Sequence, residues 1–269
     1  MNIVIPMAGA GKRFSDAGYS VHKPAIMVTD RLTGLLKPMV VCATQDLPGV
    51  EISGKNVLYI DRYFHKEDGV EDVIRKYYPL ASFITVEKLT EGQASTCLLA
   101  KREINNDEEL LIAGCDNGME IDEKKFNQEK SSCDVLVFTY RNNDSVLENP
   151  NSYGWVGVDQ DNNVTNLSIK KPLSNNPMKD HAIVATFWFR KGSYFVEAAE
   201  RMIREDDRIN GEFYVDQVIA HCQQLGLKCK AFEVKRYIGW GTPKDYENYM
   251  KTISYWTAFV KACPFFKRQ

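Results

Sequence analysis

The sequence predicts an α/β protein: a mixed, mainly parallel sheet flanked by helices. Two observations predict it. Short apolar runs alternate with stretches of helical spacing through residue 116, and the second half then changes to strand-like runs joined by a polar turn.

The elements follow in order. NIVIPM (2–7) is an apolar run suited to a strand covered on both faces. KPMVVCATQDL (37–47) has helical spacing, and NVLYIDRY (56–63) reads as the next strand. DGVEDVIRKYY (68–78) predicts a helix ending before Pro79, since proline disfavours helical backbone in its predecessor. ASFITVEK (81–88) is strand, GQASTCLLAKREI (92–104) helix and EELLIAGCD (108–116) a further buried strand. Repetition of this kind means βαβ units and parallel pairing. Beyond it, CDVLVFTYR (133–141) is a strand, and YGWVGVDQDNNVTNLSIKKP (153–172) reads as a hairpin about a turn at Asp159–Asn163. HAIVATFWFRKG (181–192) is strand, SYFVEAAERMIRE (193–205) an amphipathic helix, and FYVDQVIAHCQQLG (213–226) a helix closed by Gly226. KCKAFEVKRYIGW (228–240) gives a late strand and DYENYMKTISYWTAFVKA (245–262) a last helix. No linker or repeat interrupts the chain, so 1–269 reads as one domain, with 245–269 a helical extension.

Composition narrows the function. A net charge of −2 gives no reason to expect a nucleic acid or an acidic membrane as partner. The seven cysteines are scattered and never form C-x-x-C, and no H-x-x-H or H-E-x-x-H occurs, which argues for reduced thiols in a cytoplasmic setting and against a zinc site. The first residues lack a basic segment followed by a long apolar one, so no signal peptide is expected. No run approaches the length of a membrane span.

The segment MAGAGKRFSDAGYSVHKP (7–24) carries the chemistry. A dinucleotide fingerprint needs glycine where Phe14 stands, and a P-loop needs a glycine at Pro6 and a hydroxyl at Arg13. What remains is a strand followed by A-G-x-G-x-R, with a second cation, Lys23, in K-P. Glycines let backbone N–H groups approach phosphate closely, Arg13 can fork onto its oxygens, and Lys23 adds a point charge. Two cations flanking a glycine turn suit a triphosphate.

Together with HKP (22–24), AGAGKRF (8–14) resembles the signature of the sugar-phosphate nucleotidyltransferases, also called nucleoside-diphosphate-sugar pyrophosphorylases. Further blocks resemble that family's in its order. LTEGQASTCLLAK (89–101) is similar to the base-binding segment, and LLIAGCDNGM (110–119) to the strand-end block that ends in a metal-binding aspartate, here Asp116. IKKP (169–172) is similar to the block whose lysine contacts the acceptor phosphate. NGEFYVDQV (210–218) resembles the G-E-x-x-x-D block, and YIGWGTPKDYENY (237–249) the late G-T block. The resemblance implies a Rossmann-like nucleotide-diphospho-sugar transferase fold. It also implies an Mg²⁺-dependent enzyme that joins an NTP and a phosphorylated small molecule, for surface polysaccharide precursors.

On that reading Ala8, Gly9, Gly11, Lys12, Gly92 and Gln93 bind the nucleotide, Arg13 meets the leaving pyrophosphate, and Lys23 meets the α-phosphate. Asp116 carries Mg²⁺. Lys171 holds the attacking phosphate, with Lys170 adjacent as a substitute, and Glu212 contacts the acceptor. The resembled family often has a second metal-binding aspartate where Gly239 stands, so a second ligand would come from Asp216 or Glu212. Glu87 falls near a base-contacting position, where a carboxylate could accept from the cytosine amine or simply be solvated. A cytidylyltransferase for a non-sugar phosphate, such as phosphocholine or a phosphorylated amino acid, is a second reading. A catalytically silent nucleotide-binding module, motivated by Gly239, is a third. TDRLTGLL (29–36) reads as a surface loop and DQD (159–161) as turn formers rather than a metal motif. The aromatic cluster Tyr255, Trp256, Phe259, Phe265 and Phe266 reads as packing or as a subunit contact of a homo-oligomer.

Overall fold

A computed structural model describes residues 1–263. Its strands, in chain order, are β1 (Asn2–Pro6), β2 (Met27–Thr29), β3 (Leu36–Pro38), β4 (Val57–Arg62), β5 (Ser82–Val86), β6 (Leu110–Ala113) and β7 (Asn117–Glu120), then β8 (Val135–Tyr140), β9 (Gly154–Val158), β10 (Val164–Ile169), β11 (His181–Phe189), β12 (Cys229–Glu233) and β13 (Arg236–Gly239). The expected α/β architecture is present. β5, β4, β1 and β6 lie side by side and parallel, as the βαβ repetition requires. β11 then joins antiparallel to β6, and β8 pairs with β11 on its other edge and parallel with β12. The predicted β9–β10 hairpin forms, its turn closed by the Asp159 carboxylate accepting from the N–H groups of Asp161 and Asn163.

The strands are apolar on both faces because helices cover both. One buried cluster joins Ile3, Ile5, Tyr59, Leu111, Phe138 and Trp188, and the other joins Val4, Ile60, Ile112, Phe187, Phe195 and Val218. A third, smaller cluster around Phe14, Met39 and Trp240 receives Tyr246 and Tyr249 from the last helix, Pro243–Ala262.

Several elements differ from expectation. Lys37 and Pro38 are strand, and the helix begins at Met39. The stretch 29–36 is the surface loop expected, exposed over 32–36, and it is held as the turn of a β2–β3 hairpin by buried Asp30, which is paired with Lys37 at 2.8 Å. Arg31 ties that hairpin inward by donating to both oxygens of Asp46. The helix expected over 68–78 is present but shorter, Val70–Arg75; it starts after Gly69, whose φ of 72° suits glycine, and a separate short helix, Tyr63–Glu67, precedes it. The helix expected over 92–104 is present from Gln93 to Ile104, as two short α-helical pieces joined by a 3₁₀ turn. The late strand 228–240 is two strands in different sheets, β12 in the main sheet and β13 paired with β7, itself unforeseen. The helix Glu123–Lys130 was also unforeseen; it is polar, with Phe126 its single buried residue.

Candidate functional site

In an open α/β sheet, ligands bind beyond the carboxyl ends of the strands, where neighbouring connections diverge. β1 sits between β4 and β6, and a cleft of about 620 Å³ opens at those ends. Its floor is the chain leaving β1. Ala8, Gly9, Ala10 and Gly11 line it, and among the described residues their N–H groups donate to no protein acceptor. A Cβ on Gly9 would meet no protein atom within 4 Å, so the space beside it belongs to the cleft. Gly11 has φ 62°, the left-handed conformation that starts the short helix Lys12–Asp16. Backbone N–H groups left without protein acceptors beside a cleft are the kind of donors that accept anions elsewhere.

Lys23 enters from a single 3₁₀ turn, Lys23–Ala25, and pairs with the Asp116 carboxylate just past β6. Burial works against the Lys23 charge, but the Asp116 and Cys115 side chains outweigh it, and the ammonium pKa is raised. The chain after Asp116 is held by β13, where the Trp240 N–H donates to the Asp116 carbonyl at 2.9 Å. Gly239 lies opposite Asn117 in that pairing, and a Cβ on it would face the Tyr237 ring.

Leu89, Thr90, Gly92, Gln93 and Thr96 form another wall. Gly92 is required there: its φ is 131°, and a Cβ would come within 2.5 Å of the Phe213 backbone. Phe213 brings in Glu212 and Tyr214, which line the cleft with Ala185. The Tyr214 hydroxyl donates to Glu212, and burial with that bond pushes the phenol up to about 12. Lys170 stands over the Tyr214 ring, 5.2 Å from its centre, and donates to the Ser152 carbonyl at 2.8 Å. Burial lowers the Lys170 pKa; Asp216 and Glu212 work against that fall, and the Arg13 charge adds to it. Burial raises the Asp216 carboxyl to about 6, with Lys170 the opposing influence.

Of the residues expected at the site, Ala8, Gly9, Gly11, Lys23, Gly92, Gln93, Asp116 and Glu212 are brought together in one cleft. Lys12 and Arg13 are exposed at its edge, but the Arg13 charge reaches Lys23, Lys170, Tyr153 and Tyr214. Glu87 is exposed outside the lining, and its carbonyl accepts from Arg62. Lys171 is exposed too; Lys170 is the lysine beside the acidic pair, because the backbone turns left-handed there, at φ 63°. A trio from the HKP block and the end of β4, His22, Phe64 and His65, also lines the cleft. Its signal was the position of RYFH at a parallel strand's carboxyl end. His65 Nδ1 accepts from the Arg62 N–H, and burial lowers its pKa to about 4. His22 pairs with Asp68 at 2.6 Å.

Among the described residues no group of three His, Cys, Asp or Glu side chains is placed to hold a metal. One carboxylate suits Mg²⁺ that arrives on phosphates with its own waters, and does not suit a cage built from protein alone.

The fold is shared with solved nucleotidyltransferase structures. The nucleoside-diphosphate-sugar pyrophosphorylase from Vibrio cholerae RC9 superposes with a TM-score of 0.73 at 18% identity, over 93% of this chain and 99% of that one. HddC from Yersinia pseudotuberculosis complexed with GMP-PN gives 0.61 at 19% identity, over 93% and 98%. The inositol-1-phosphate CTP transferase from T. maritima gives 0.63 at 15%, over 94% and 96%. No family model matches the chain, and no curated protein matches it.

Proposed function

We propose that the protein is a cytoplasmic nucleotidyltransferase that joins an NTP to a sugar phosphate, or a similar small phosphate monoester, giving a nucleotide-activated product and pyrophosphate. One observation carries the reading: four unpartnered backbone N–H groups at Ala8–Gly11 share a cleft with the Lys23–Asp116 pair and the Glu212–Tyr214 pair. The likeness of fold to a named pyrophosphorylase and a named CTP transferase supports it.

A phosphate monoester is already anionic near neutral pH, so attack on the α-phosphorus needs no general base. Positioning and charge neutralisation supply the rate. The glycine loop would hold the triphosphate through its N–H groups, with Arg13 on the departing pyrophosphate and Lys23 on the α-phosphate. Lys170, rather than Lys171, would hold the attacking phosphate, since it lies by Glu212, Tyr214 and Asp216. Asp116 would hold Mg²⁺ brought by the nucleotide, whose chemistry is to neutralise phosphate oxygens. The base would lie against the segment 89–93, with Glu87 exposed just before it.

The test is pyrophosphate release with Mg²⁺, each common NTP and a panel of phosphorylated acceptors. Release with one NTP–acceptor pair is expected, abolished in Arg13→Ala and Asp116→Ala proteins that melt as the parent does. Release with no pair favours the silent binding module; release only with CTP and a non-sugar acceptor selects the second enzyme reading. Full activity in either variant contradicts the site assignment.

A further inference from the structure

The helix Pro243–Ala262 spans about 30 Å at 1.5 Å per residue, and only its first half has something to lie on. Tyr246 donates to the Met27 carbonyl at 3.0 Å and Tyr249 to the Thr29 carbonyl at 2.7 Å, while the Met250 sulfur accepts from the Thr29 N–H. With half-buried Ile253, these positions make the one stripe that faces the body. From Ser254 to Ala262 every residue is exposed. Tyr255 is 64% exposed, Trp256 55%, Phe259 45% and Val260 44%. The three aromatic rings pack on one another, with centroids 5.5 to 6.5 Å apart.

At 100° per residue, Tyr255, Phe259, Trp256 and Val260 fall within one sector; Lys251 borders that sector beside Tyr255, and Lys261 lies opposite it. Charge says what would cover the aromatic sector. Residues 249–269 hold four cations (Lys251, Lys261, Lys267 and Arg268) and no Asp or Glu, in a chain whose net charge is −2. An aromatic sector with one lysine at its border and another opposite, in a segment with cations and no acidic residue, suits the headgroup layer of an anionic bilayer, where long lysine side chains snorkel to the phosphates. A second copy of the chain fits less well. Four apolar side chains over two turns fall far short of the roughly 20–30 residues per side of a stable protein interface.

We propose that the free half of this helix docks the protein on an anionic membrane surface, with Trp256 and Phe259 entering the headgroup region. The inference does not depend on the reaction assigned above. Trp155, Trp188 and Trp240 are buried, so quenching by brominated lipid reports on Trp256. The full chain is mixed with vesicles of phosphatidylcholine alone or with phosphatidylglycerol added. Expected are co-sedimentation and quenching with the phosphatidylglycerol vesicles, both reversed by high salt. The Trp256→Ser/Phe259→Ser protein should partition about tenfold less or weaker still, with an unchanged melting transition. No binding at low salt, or equal binding of parent and variant, overturns the proposal. So does a parent dimer in solution that the double variant splits into monomers, which would assign the face to a second copy.

Discussion

At the scale of single residues, the difference between Lys170 and Lys171 shows what a sequence can and cannot say. The block IKKP identifies a lysine at a strand end, but only the left-handed backbone at Lys170 decides which side chain turns toward Tyr214. Lys170→Ala is therefore expected to raise the acceptor KM by about tenfold or more, while Lys171→Ala stays near the parent; steady-state kinetics in the acceptor decide, and the reverse order contradicts the assignment. Asp61 gives a second prediction. It is the penultimate residue of β4 and fully buried, neither oxygen has a hydrogen-bond partner of normal geometry among the described residues, and burial lifts its pKa from 3.8 to about 6 against the opposing influence of the nearby Thr85 hydroxyl. The folded protein thus holds this proton more tightly than the unfolded chain does. The penalty is absent below pH 4, grows as pH rises to 6 and is complete above that. Asp61→Asn removes it, so the variant should gain on the parent by about 3 kcal/mol at most between pH 4 and pH 7. Urea midpoints at the two pH values measure this, and a constant difference contradicts it.

At the scale of elements, the parallel half of the sheet was legible because buried strands announce themselves as apolar runs: β1, β4, β5 and β6 all fall inside the expected ranges. What stayed hidden depended on partners distant in sequence. β7 and β13 are four residues each and pair with one another across more than a hundred residues; β7 has no pattern of its own, and β13 reads as the tail of the strand expected over 228–240. The bulge in β11 was equally silent: Ala185 takes φ 58°, a conformation that nothing about alanine suggests, and there the strand passes from pairing with β9 to pairing with β6. Gly92 shows the same dependence on partners. In sequence it belongs to a block that resembles a base-binding segment, but the backbone of Phe213 is what excludes a side chain. Gly92→Ala should cost about 2–4 kcal/mol by denaturant unfolding and disturb the Glu212–Tyr214 wall with it; a neutral substitution would contradict the close approach.

At the scale of the whole molecule, three parallel strands, β4, β1 and β6, converge on one cleft, and each contributes from its carboxyl end: His65 and Phe64, the glycine loop, and Asp116. Global composition conceals as much as it reveals, since a net charge of −2 averages a cationic, aromatic last segment with a more acidic remainder. In the reaction proposed for the cleft, a phosphate monoester attacks the α-phosphorus of the nucleotide. The direct measurement uses an NTP labelled at that phosphorus, with Mg²⁺ and the acceptor that releases pyrophosphate. The label should appear in a nucleotide-linked acceptor, in amounts equal to the pyrophosphate released, with the parent protein and not with Arg13→Ala. Label that remains in the NTP, or appears in a free nucleoside mono- or diphosphate, contradicts the account.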